Sequence, residues 1–150
     1  MSTKADIQRL HRVAQVRQTF SQVAEARVRE AESHVREIEA QDEQIVRSID
    51  AARAEIAERE SVTGQDIQQA EKYINAQKSL RKNVLQSLEK ARTKLDGKRQ
   101  EWVETRREQR IIERLEERRL QEWQRLEEVA HQKSADDAFI GRLVRTRSQQ

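Results

Sequence analysis

The stretch Ser61-Val62-Thr63-Gly64-Gln65-Asp66 decides the fold, because it is where a long apolar register pauses. Gly64 is suited to the positive φ that closes a helix, and Asp66 to the first turn of the next one. A bend here makes the chain an all-α, long two-helix antiparallel coiled-coil hairpin. Helix 1 is expected over about 3–61, the turn over about 62–65 and helix 2 over about 66–146. The competing arrangement is one continuous helix through Gly64, since a lone glycine costs a helix only about 1 kcal/mol. That rod would need a partner chain along its whole length, which ranks it below the hairpin.

Upstream of the bend a single heptad register holds from Ile7 to Arg59. One set of seam positions is Ile7, Ala14, Ser21, Val28, Val35, Asp42, Ile49 and Ile56. The interleaved set is Leu10, Arg17, Ala24, Ala31, Ile38, Ile45, Ala52 and Arg59. Most are apolar or small, and they alternate in steps of three and four, as a coiled-coil seam requires. Downstream the register resumes with Ile67, Ile74, Leu88, Leu95 and Trp102, interleaved with Ala70, Val84 and Ala91, while Gln77, Arg81 and Lys98 weaken it. Beyond Trp102, Ile112, Leu115, Leu126 and Val129 suggest a displaced frame, resembling a stutter. Folding about Gly64 sets Ile56 near Lys72 and Ile7 near Gln121, so residues from about Leu126 onward overhang the N-terminus. Fraying is expected after Gly141.

Composition agrees with this reading. The 150 residues include no proline, no cysteine and three glycines, with 38% charged and 35% hydrophobic residues. Such a chain buries one narrow stripe per helix, not a thick core. Disorder is disfavoured because 30 basic residues nearly offset 27 acidic ones and the apolar residues are regularly spaced. No apolar run approaches the roughly 18–20 residues that span a bilayer. Met1-Ser2-Thr3-Lys4-Ala5-Asp6 lacks the hydrophobic stretch of a signal peptide, so a cytoplasmic protein with no direct membrane insertion is expected.

Catalytic chemistry has little to stand on. His11, His34 and His131 are scattered, and there is no HExxH, no CxxC and no glycine-rich phosphate loop. No metal, no cofactor and no enzyme activity are expected. The richest basic stretch, Arg106 to Arg119, is interleaved with Glu113, Glu116 and Glu117, so its field is expected to cancel. A net charge of +3 and few aromatics argue against nucleic acid as a partner. Among the aromatics, Trp102 and Trp123 fall on the seam frame and read as packing residues, while Tyr73 beside Ile74 is a candidate contact residue.

The order of features resembles the FliJ family of flagellar export proteins and the related YscO-type stalk proteins of virulence-type secretion. Leu10-His11-Arg12-Val13-Ala14-Gln15-Val16-Arg17-Gln18 is similar to that family's opening segment. Gln69-Ala70-Glu71-Lys72-Tyr73-Ile74 resembles its aromatic-Ile motif early in the second helix, and Asp136-Asp137-Ala138-Phe139-Ile140-Gly141-Arg142 its closing segment. The resemblance implies a non-enzymatic stalk, like the coiled-coil part of a rotary ATP synthase γ subunit. The end carrying both termini would enter the hexameric export ATPase, and the other part would reach the export-gate membrane protein. Some members also handle export chaperones. Mapped here, the ATPase-facing end would include Leu10, Arg17, Leu126, Phe139 and Arg142, and the gate-facing half Val35, Ile38, Ile45, Tyr73 and Ile74. Peripheral association with the cytoplasmic face of the inner membrane follows from the same resemblance. The alternative from another class is a structural coiled coil that self-associates.

Overall fold

The structure, a computed structural model, describes residues 3–149; the reading of Met1 and Ser2 as free of a signal sequence, and the last residue of the polar tail, lie outside them. Two helices account for nearly all of it: α1, Lys4–Glu58, and α2, Gly64–Ser148. There is no strand among the described residues. The fold class is therefore the all-α antiparallel hairpin. It divides into two compact units, one spanning Gln22–Val103 and one formed by the chain up to Ser21 together with Glu104 onward.

The unit of residues 22–103 contains the turn and the best-packed seam. Val28, Ala31, Val35 and Ile38 of α1 form one cluster with Leu88, Ala91 and Leu95 of α2, and Val84 and Trp102 pack against it. Ile45 and Ile49 are also buried. These are the heptad positions read from the sequence: steps of three and four keep one face of each helix toward its partner, and removing those side chains from water is what holds the pair. Three cross-helix ion pairs fix the antiparallel register: Asp42 with Arg81, Glu39 with Arg92 and Glu32 with Arg99. The first of them lies in the seam itself, where the Arg81 Nε donates to Asp42 Oδ1 at 2.9 Å.

The turn is built differently from the expectation. α1 ends at Glu58, and Gly64 is the first residue of α2, with no positive φ. The device that starts α2 is a capping box. Asp66 N donates to Thr63 Oγ1 and Thr63 N donates to Asp66 Oδ2, each at 3.2 Å. This reciprocal pair satisfies two N–H groups at the start of α2 that would otherwise have no partner. Thr3 and Asp6 repeat the same device at the start of α1. Arg59 spans the turn, donating to Glu55 at 2.9 Å and lying 3.6 Å from Asp66.

In the other unit, α1 from Lys4 to Ser21 runs against α2 beyond Glu104. Ala14 and Ser21 are buried, and Thr105, Gln109, Ile112, Glu116, Arg119 and Trp123 are partly buried. Their spacing of four and three continues the frame of Trp102, so the expected stutter is absent. Leu115, Leu126 and Val129, which suggested it, are exposed. The seam here mixes apolar with polar side chains, and two pairs at its edge cross between the helices. His11 Nδ1 donates to Glu116 Oε1 at 2.7 Å, and Arg17 pairs with Glu108. From Gln124 to Ile140 every residue of α2 is exposed, and the helix remains continuous through Gly141, where fraying was expected.

Candidate interaction surfaces

A two-helix hairpin has no enclosed interior in which to assemble reacting groups, so its chemistry is that of its outer faces. Among the described residues, no group of three or more His, Cys, Asp or Glu could hold a metal. Among the same residues, no helix is long and apolar enough to cross a membrane.

In the unit of residues 22–103, the region beside the turn carries a shallow groove of about 510 Å³ lined by residues including Ala51, Ala52, Ile56, Ala70 and Tyr73. Tyr73 is 45% exposed and Ile74 half-buried beside it. Small residues (Ala52 and Ala70 of the seam, with Ala51 beside them) leave the depression, and the tyrosine stands at its wall with an apolar ring and a polar tip. Val35, Ile38 and Ile45 are a different case. They were expected on the gate-facing half, yet each is buried, at 6–7% exposure. They belong to the seam between α1 and α2, and a partner could touch them only by parting the helices. Heptad position and exposed contact position look alike in a sequence when the residue is apolar.

In the other unit, the residues assigned to an ATPase-facing end fall into two sets. Leu10 and Arg17 sit on the inward face of α1, partly buried, and Arg17 is engaged by Glu108. Leu126, Phe139 and Arg142 are exposed, with Leu126 53% and Phe139 61% accessible. Val129, Ile140, Leu143 and Val144 are exposed alongside them. Sequence reading missed another apolar face: Val13, Val16 and Phe20 of α1 are all exposed. Their i, i+3, i+7 spacing was the available signal, masked by the stronger seam register that runs beside it.

Electrostatics follow from hydrogen bonds more than from burial. The Asp66 carboxyl is held below its ordinary value chiefly by the backbone N–H of Thr63, then by the threonine hydroxyl. Asp6 is held low in the same way, with the Thr3 hydroxyl the larger cause and the Thr3 N–H the second. The Arg81 guanidinium is pushed up by its hydrogen bond to Asp42 and by that carboxylate's charge. Asp66 lines the shallow groove beside the turn, and all three groups fasten helix ends or register.

An antiparallel coiled-coil hairpin with bare apolar faces defines the class of helical interaction proteins. The family model described as "Flagellar FliJ protein" matches residues 6–148. The chain belongs to the FliJ family, whose members are non-enzymatic components of flagellar protein export. Comparison with curated proteins and with solved structures gives no match.

Proposed function

We propose that the protein is a central-stalk component of the flagellar export apparatus, engaging the hexameric export ATPase and the membrane export gate. The observation that carries this reading is the end of α2. From Gln124 to Ile140 it is helical and exposed throughout, yet it bears Leu126, Val129, Phe139 and Ile140. A helix that exposes such residues is better suited to a partner than to water. Leu126, Phe139 and Arg142 would make the ATPase contact, with Leu10 and Arg17 holding the adjoining seam. Tyr73 and Ile74, beside the groove, would contact the gate; Val35, Ile38 and Ile45 would serve that contact by keeping the helices closed. Export chaperones are a third class of partner for the same exposed faces. The protein would then work in the cytoplasm, peripherally at the cytoplasmic face of the inner membrane.

The test is to mix the full chain with a flagellar-type export ATPase and measure hexamer formation and ATP turnover. Stimulation by the wild type and its loss in Leu126→Ala/Phe139→Ala support the reading. Unchanged assembly and turnover with the wild type would remove it. The same exposed face also favours a second reading, self-association into a homodimer. Sedimentation at several concentrations separates the two, since only the second gives a mass that rises with concentration.

A further inference from the structure

The basic stretch of α2 is sorted by the fold in a way its sequence conceals. Glu108 and Glu116 are occupied by Arg17 and His11 of α1, and Glu113 accepts from Gln109. Arg107, Arg110, Arg114, Arg118 and Arg125 are all exposed and, among the described residues, form no ion pair. Their spacing of 3, 4, 4 and 7 puts them on one helix face, opposite the inward Thr105, Gln109, Ile112, Glu116 and Trp123. At 1.5 Å per residue this stripe is about 27 Å long. Ile111 stands among the arginines and is 64% exposed. The fold thus engages Glu108 and Glu116 with α1, leaves the other glutamates to the flanks, and gathers the guanidiniums on one face. Like charges one turn apart repel, and none of these five arginines is held in an ion pair among the described residues.

The chemistry and width of the stripe select its occupant. The charged residues of the stripe are all arginine, whose planar fork pairs bidentately with carboxylates and phosphates. It is one residue wide, and helical spacing puts Glu104 and Glu122 along one side and Glu113 and Glu117 along the other. A bilayer surface or a nucleic-acid duplex covers a broad arc of a helix and would meet those glutamates as well. A single helix approaching along its ridge meets only the arginines. We propose that this face of α2 docks an acidic helix of a partner protein, with carboxylates at one-turn spacing against Arg107, Arg110, Arg114 and Arg118 and an apolar notch for Ile111. This surface lies outside the contacts proposed above and does not depend on them.

The test uses the full chain and a synthetic helical peptide with glutamates at i, i+3, i+7 and i+11 and small residues between them. Arg107→Gln, Arg110→Gln, Arg114→Gln and Arg118→Gln are combined in one variant. A control variant combines Arg12→Gln, Arg27→Gln, Arg36→Gln and Arg53→Gln, removing equal charge from other exposed sites. Circular dichroism confirms that both remain helical. Loss of four exposed pairs should weaken peptide binding about tenfold or more in the first variant and less than about twofold in the control. Ile111→Ser should weaken it further without changing the salt dependence. Equal weakening in both variants, no binding by the wild type, or tighter binding to phosphatidylglycerol vesicles or duplex DNA than to the peptide would each overturn the proposal.

Discussion

Replacing Leu88 with alanine and, separately, Leu126 with alanine removes the same atoms from two positions on one helix. Leu88 is 6% exposed and packs in the cluster of Val28, Ala31, Val35, Ile38, Ala91 and Leu95. A buried Leu→Ala change costs about 2–5 kcal/mol through lost transfer free energy and the cavity left behind. A two-helix seam can close partly around the gap, so the lower half of that range, about 2–3 kcal/mol, is expected. For a chain of this size each kcal/mol moves the midpoint by about 2–4 °C, giving a fall of roughly 4–12 °C. Leu126 is 53% exposed. Alanine is at least as good a helix former there, so the change should stay within about 0.5 kcal/mol. Thermal unfolding followed by far-ultraviolet circular dichroism, at two protein concentrations, reads both. Equal losses would refute the reasoning, because Leu126 would then be buried in solution. A midpoint that rose with concentration would identify the cover as a second copy.

The remaining expectations concern the turn and the seam. Gly64→Ala should be neutral or stabilising by up to about 1 kcal/mol, because its backbone has no positive φ and an added Cβ would meet no atom within 4 Å. Thr63→Ala should cost about 1 kcal/mol through loss of the cap, and urea titration measures both changes. Asp6 and Asp66 have folded pKa values below their unfolded ones. Their contribution is therefore complete above the usual carboxylate range near pH 4 and disappears as pH falls through the lower folded values. In Asp66→Asn that part of the acid dependence should be missing from pH-dependent unfolding curves. Arg81→Ala should destabilise the hairpin by leaving the Asp42 carboxylate, 19% exposed, without its guanidinium. Combining Asp42→Leu with Arg81→Leu should restore stability in the same unfolding assay.

The α1 seam was legible because almost every heptad position there is apolar or small, so residue identity and burial coincide. Even Asp42 read correctly as a seam position, and its partner Arg81 was also placed on the seam. The distal part of α2 read poorly for the opposite reason. Gln109, Glu116 and Arg119 take inward, partly buried positions, Glu116 facing His11 of α1, while Leu115 and Leu126 are exposed. Asp66 was legible as a first-turn residue, but its pairing with Thr63 was not, although Thr-x-x-Asp occurs at the start of both helices and carries its own mechanism. Of the candidate contacts, Leu126, Phe139 and Tyr73 were recognisable as uncovered. Val35, Ile38 and Ile45 were not separable from packing residues. The arginine stripe was hidden because charge sorting depends on which acids the partner helix engages, and composition counts them all alike.

No large side chain in the described residues is fully buried; even the best-covered seam residues retain about 6% exposure. In such a molecule the amide protons of the helices lie close to water everywhere, and local opening should run well below the cost of global unfolding. Slow hydrogen exchange is then a property that a partner confers. Protection appearing along α2 when an export component is added would chart the contact residue by residue.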